Sequence, residues 1–218
     1  MTTMIEDAPV ASDLRWPEMH DVFGVNVSAT TYTETIDCMI AAAKAGVSAV
    51  ASFHAAHAVV TASDDPELKQ RVNQFEIVAP DGQPVRWALN ILHKAGLRDR
   101  VYGPELTLRL CERAAEEGVP IYLYGGANDE ILSDLQKNLL KKFPALQIAG
   151  AESPPFRPLT EEEDEAVVER INASGAGIVF IGLGCPKQDH FAYEHKGRIK
   201  AVQACVGAAY DFHAGRTT

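Results

Sequence analysis

The sequence contains no apolar run near the roughly 18 residues needed to cross a bilayer as a helix, so no membrane span is expected. Its first residues, Met1 to Asp7, lack the basic start and apolar core of a secretory leader. The four cysteines, Cys38, Cys111, Cys185 and Cys205, are scattered and form no C-x-x-C pair. That pattern argues against a disulfide framework and fits reduced thiols in a cytosolic protein. Positive charge is also scarce. The formal net charge of −10 excludes broad, sequence-independent nucleic-acid binding, which needs Lys and Arg at phosphates. It leaves room for a local basic pocket. Internal repeats and low-complexity linkers are absent too.

What is present is an alternation of strand-like and helix-like segments over 218 residues, enough for one sizeable α/β domain or two small lobes. Residues 1–20 show little periodicity and are expected to be a loose arm. Asp21–Val27 reads as one short strand, and Val47–Phe53, Phe75–Ala79, Val119–Tyr124 and Leu146–Gly150 as further strands. Helical patterns lie between them, and Thr160-Glu-Glu-Glu163 is a capping box opening a helix over 161–173. The expected fold is α/β: a Rossmann-like, mostly parallel sheet with helices on both faces. A lobe boundary falls near residue 100, between halves 21–100 and 101–218.

The richest stretch runs from Ile178 to Arg216. A strand ends at Gly182 and Gly184, the polar trio Lys187, Gln188 and Asp189 follows, and a second glycine turn comes about twenty residues on. Strand ends of this kind admit an anion to backbone N–H groups, so a phosphate-bearing ligand is expected. Gly125 and Gly126, after another apolar strand, are a second phosphate-cradle candidate, although a Gly-Gly pair often marks only a turn. Asp81, held between Pro80 and Gly82, is either a turn residue or a general base aimed at a substrate hydroxyl. His54 and His57 form H-x-x-H, two possible ligands where a metal site needs three or four. A substrate contact suits His54 better, with Ser52 two residues earlier on the same side of the strand. Cys185 has no evident histidine partner and reads as a packing residue. The third glycine of the dinucleotide fingerprint and the P-loop are both missing, which weakens NAD(P) and excludes a P-loop NTPase.

Taken together, Gly182-Leu-Gly-Cys-Pro-Lys-Gln-Asp189, Val206-Gly-Ala-Ala-Tyr-Asp-Phe-His-Ala-Gly215, Ala79-Pro-Asp-Gly82 and Arg100-Val-Tyr-Gly-Pro-Glu-Leu106 resemble the WecG/TagA/CpsF glycosyltransferase family from about Phe23 to Thr218. The resemblance implies inverting transfer of a sugar from a UDP-sugar to a polyprenyl-diphosphate-linked saccharide, without a cofactor or metal. It implies a place at the cytoplasmic face of the bacterial plasma membrane, during surface-polysaccharide assembly. By the same resemblance Asp81 is the base, and Gln188 and His54 are catalytic contacts. Ser52, Arg100, Gly103, Gly125, Gly126, Gly182, Gly184, Pro186, Lys187, Asp189, Gly207 and Asp211 line the donor site. Three positions depart from the family pattern: Asp189 for glutamate, His54 for asparagine and Ser52 for threonine. Family members continue into an arginine-rich, membrane-binding tail and can self-associate, trimers included. Here the chain stops at Arg216-Thr-Thr218, so a C-terminally truncated form is expected. A nucleotide-binding module without catalysis and an NAD(P) oxidoreductase are the alternative classes.

Overall fold

A computed structural model describes residues 14–216. Most of the expected arm, 1–13, lies outside the described residues. The rest of it is already packed, with Leu14 and Trp16 against the core and a strand starting at Met19. The single strand read over 21–27 is instead a hairpin, β1 (Met19–Val22) and β2 (Val25–Ser28), paired antiparallel. Phe23 and Gly24 turn it with φ of 57° and 84°, both left-handed. A two-residue turn with both central φ positive matches the twist of the flanking strands, which is why Asp21–Val27 folds back on itself.

Six strands form one parallel sheet: β3 (Ala49–His54), β4 (Ile77–Pro80), β5 (Ile121–Gly125), β6 (Ile148–Glu152), β7 (Ile178–Gly182) and β8 (Val202–Cys205). Their order across the sheet is β4-β3-β8-β7-β5-β6. Strands from both halves of the chain therefore share one sheet, joined where β3 pairs with β8.

Alternation along each strand sends successive side chains to opposite faces. Ala51, Phe53, Leu123, Phe180 and Ala204 enter one core, with α1 (Tyr32–Lys44), α5 (Gly103–Glu117), α6 (Asp129–Lys142) and α9 (Ala209–His213). Val50, Val78, Tyr124, Val179 and Ile181 enter the other, with α2 (Ala56–Asp64), α3 (Pro66–Val72), α4 (Gln83–His93), α7 (Glu161–Ala173) and α8 (Lys187–His195). The strands are apolar almost throughout because both faces are covered. The fold is thus α/β and Rossmann-like. The capping box at Thr160 is present in full: its hydroxyl accepts the Glu163 N–H at 3.2 Å and its own N–H donates to the Glu163 carboxylate at 2.9 Å.

Candidate active site

The strand order reverses between β5 and β7, since β6 lies on one side of β5 and β7 on the other. A crevice opens at such a reversal, outside the carboxyl ends of the strands. Gly125 and Gly182 face each other there in register. A Cβ on Gly125 would stand 2.6 Å from the Gly182 carbonyl, and one on Gly182 would stand 2.4 Å from the Tyr210 ring. The Gly126 N–H donates to the Gly182 carbonyl at 3.1 Å. The Gly125 position is therefore closed by the protein's own backbone and serves close packing, whereas Gly126 also lines the groove above it. Tyr210 is fixed in turn by its buried hydroxyl, which donates to the Phe180 carbonyl at 3.0 Å. Gly182→Ala is expected to cost about 1–3 kcal/mol by overpacking, lowering Tm by roughly 2–12 °C, as calorimetry would record.

Over this crevice lies a groove of about 910 Å³. Gly182, Gly184, Lys187, Gly207 and Asp211 line its inner end, and the loop from Pro154 to Glu161 lines its outer wall. Pro186, joined to Cys185 by a cis peptide bond, stands at the start of α8. No side chain caps that helix; the Gln188, Asp189 and His190 N–H groups donate to the Gly184 and Pro186 carbonyls, and Lys187 with the helix dipole supplies positive charge on the groove side. Tyr124 stacks on Phe191 at 4.7 Å between centroids, and Phe191 on His195 at 3.9 Å, forming a firm inner wall. His195 is held to Asp164 at 2.8 Å.

A second group collects at the ends of β3 and β4. Asp81 follows β4 directly and is half-buried, and its Oδ2 accepts the N–H of Gly103 at 3.2 Å. Burial pushes its carboxyl above the usual range, partly offset by that N–H, by Arg100 and by the two histidines. A carboxylate made more basic in this way is a better proton acceptor. Gly103 opens α5, and a Cβ there would lie 3.3 Å from Oδ2, so glycine lets the amide come close. The Arg100 guanidinium lies over the Tyr102 ring at 4.5 Å.

Beneath the groove, Ser52, His54 and Asp189 form a buried cluster instead of three separate donor contacts. Asp189 is completely enclosed, and its Oδ1 accepts the Ser52 hydroxyl at 2.6 Å and lies 3.3 Å from His54 Nε2. Burial acts to raise the Asp189 carboxyl, but attraction to His54 and hydrogen bonds from His54, Ser52 and Cys185 outweigh it and hold the group below its ordinary value. A carboxylate only accepts, so His54 Nε2 carries the hydrogen. His54 Nδ1 is buried without a protein partner. Gln188 joins this cluster to the groove: Nε2 donates to the Cys205 carbonyl at 3.3 Å, while buried Oε1 has no protein partner. Oε1 is 3.3 Å from the position of a Cβ on Gly207, whose φ is +49°.

Burial and the nearby Asp189 push the Cys185 thiol up to about 12, consistent with packing and unlike a nucleophile. His57 is exposed, and among the described residues no group of three or more His, Cys, Asp and Glu is arranged to hold a metal ion. The Arg216 side chain is tied to Glu130 and Asp134 on α6. Sequence reasoning missed the Ser52–Asp189 bond, the Gly103 amide on Asp81, and Tyr210 as the lock on the switch point. The glycine at 103 was the one local signal, since it allows the amide contact.

The sequence model described as "Glycosyl transferase WecG/TagA/CpsF family" matches residues 20–218. The chain belongs to the WecG/TagA/CpsF family. It is therefore a glycosyltransferase of cell-surface polysaccharide synthesis. The motifs on which the sequence resembles this family lie on the carboxyl edge just described. The Pro-Asp-Gly turn ends β4, the Pro-Lys-Gln segment starts α8, and the Val206–Gly215 segment covers the switch point.

Proposed function

We propose that this glycosyltransferase moves a sugar, with inversion, from a UDP-sugar to a polyprenyl-diphosphate-linked saccharide, with Asp81 as general base. The observation that carries this reading is the half-buried Asp81 carboxylate, raised by burial and oriented by the Gly103 amide at the same sheet edge as the groove. Inversion needs the acceptor hydroxyl to attack opposite the departing UDP while a base takes its proton. The proton goes to Asp81, the new glycosidic bond forms at the anomeric carbon, and UDP leaves with the bonding pair. Lys187, Arg100 and the start of α8 meet the charge developing on the diphosphate. The Gln188 side chain contacts the transferred sugar, and the buried Ser52, His54 and Asp189 cluster holds the start of α8 in place. The acceptor's lipid calls for peripheral attachment at the cytoplasmic membrane face. In keeping with this, no described helix is long and apolar enough to cross a membrane.

A thermal-shift panel of UDP-sugars, with UDP as control, tests the reading. One UDP-sugar is expected to stabilise the protein more than UDP does at equal concentration, its gain over ligand-free protein being about 2.7 kcal/mol at a hundredfold excess over its Kd. Equal shifts from UDP and every sugar would indicate a nucleotide-binding module without catalysis.

A further inference from the structure

We propose that Phe156 is the platform on which the uracil ring of the donor stacks, at the outer end of the groove. The inference rests on the reading of that groove as a UDP-sugar site. Phe156 lines the groove and is 88% exposed, the highest value among the large apolar side chains described. An aromatic ring left in water forgoes the stabilisation that burial would bring, so its position needs a reason. The loop prevents it from collapsing onto the core. Pro154, Pro155 and Pro158 restrict the backbone around it. The loop is also fastened at both ends. Ser153 donates to the Gly126 carbonyl at 2.9 Å, and the Arg157 guanidinium grips Glu163 with two bonds of 2.6 Å. Glu163 is itself fixed by the capping box of α7. The ring is therefore presented in advance of any ligand.

The other aromatic rings of the groove have no such freedom, His190 being held by Arg71 at 3.2 Å. Tyr124 is covered by Phe191, Phe191 is sandwiched between Tyr124 and His195, and Tyr210 lies against Gly182. The two ends of the groove also differ in chemistry. The inner end offers Lys187 and the start of α8 to an anion, while Phe156 and Leu159 offer apolar surface at the outer end. A nucleoside diphosphate has the same division, with a charged diphosphate and a planar base whose face is apolar.

Calorimetric titration of the protein with UDP and with inorganic pyrophosphate, which lacks a base, tests this. Phe156→Ala is expected to weaken UDP binding roughly 5- to 150-fold, the range of one base–aromatic stack, and to leave pyrophosphate binding unchanged. Phe156→Trp is expected to restore UDP affinity. Unchanged UDP affinity in Phe156→Ala, or an equal loss for pyrophosphate, would overturn the stacking role and leave the UDP-sugar reading standing. Failure of the unaltered protein to bind UDP would overturn both.

Discussion

Asp81→Asn is expected to lower turnover by about 10²–10⁴-fold, the usual contribution of a positioned base, with UDP affinity unchanged. The asparagine oxygen can still accept the Gly103 N–H, so the turn and the entry to α5 are preserved. Folding should not suffer. Because burial raises the Asp81 carboxyl, ionising it costs the native state, and this cost is present at any pH above the raised value. The neutral amide removes it, so Tm should stay level or rise. The unaltered enzyme should lose activity as pH falls through the Asp81 value, at a pH above the ordinary carboxylate range. Asp81→Asn should lack that acidic limb. Rate profiles of both proteins with the preferred donor would record the difference, and an unchanged rate in Asp81→Asn would remove the base assignment.

The second large effect concerns stability. Asp189→Ala removes the acceptor of the Ser52 hydroxyl and of His54 Nε2, all inside the protein. Breaking a buried, hydrogen-bonded charged group of this kind is expected to cost about 3–5 kcal/mol. Its pH dependence has a definite sign. The native Asp189 carboxyl titrates below its unfolded value, so its contribution is complete above the ordinary aspartate range. That contribution fades as pH falls through the unfolded value, about 3.9, towards the native one. Urea unfolding at neutral and acid pH should show a gap between the two proteins that narrows on acidification. A gap that stayed constant would mean that Asp189 acts by shape alone.

Much of the architecture was legible because it is local. The inner strands of the six-stranded sheet are apolar nearly end to end, as strands covered on both faces must be. Thr160 and Glu163 sit at the spacing of a reciprocal cap. The Pro-Asp-Gly turn at Asp81 was likewise visible, because proline and glycine mark where β4 must stop. The hairpin was not legible. Phe23 carries no mark of a turn residue, and only Gly24 favours its positive φ.

The glycines at 125, 126 and 182 are legible as special positions, but their purpose is not. Glycine permits close approach by a ligand and by another backbone alike, and only the pairing of β5 with β7 shows which applies. Ser52 and Asp189 are 137 positions apart, and no local pattern joins them. Their bond follows from β3 lying beside β8, with α8 packed across that face. Phe156 is flanked in the sequence by Pro154, Pro155 and Pro158. Its exposure at the rim of a groove is a property of the fold.

The most direct test of the account is a crystal structure of Asp81→Asn protein, which should hold its donor intact, with the preferred UDP-sugar bound. The uracil ring should lie on Phe156 and the diphosphate at the start of α8 beside Lys187. The anomeric carbon should then face residue 81 from the side opposite its bond to UDP. A donor bound outside the groove, or one with its anomeric carbon turned away from residue 81, would contradict it.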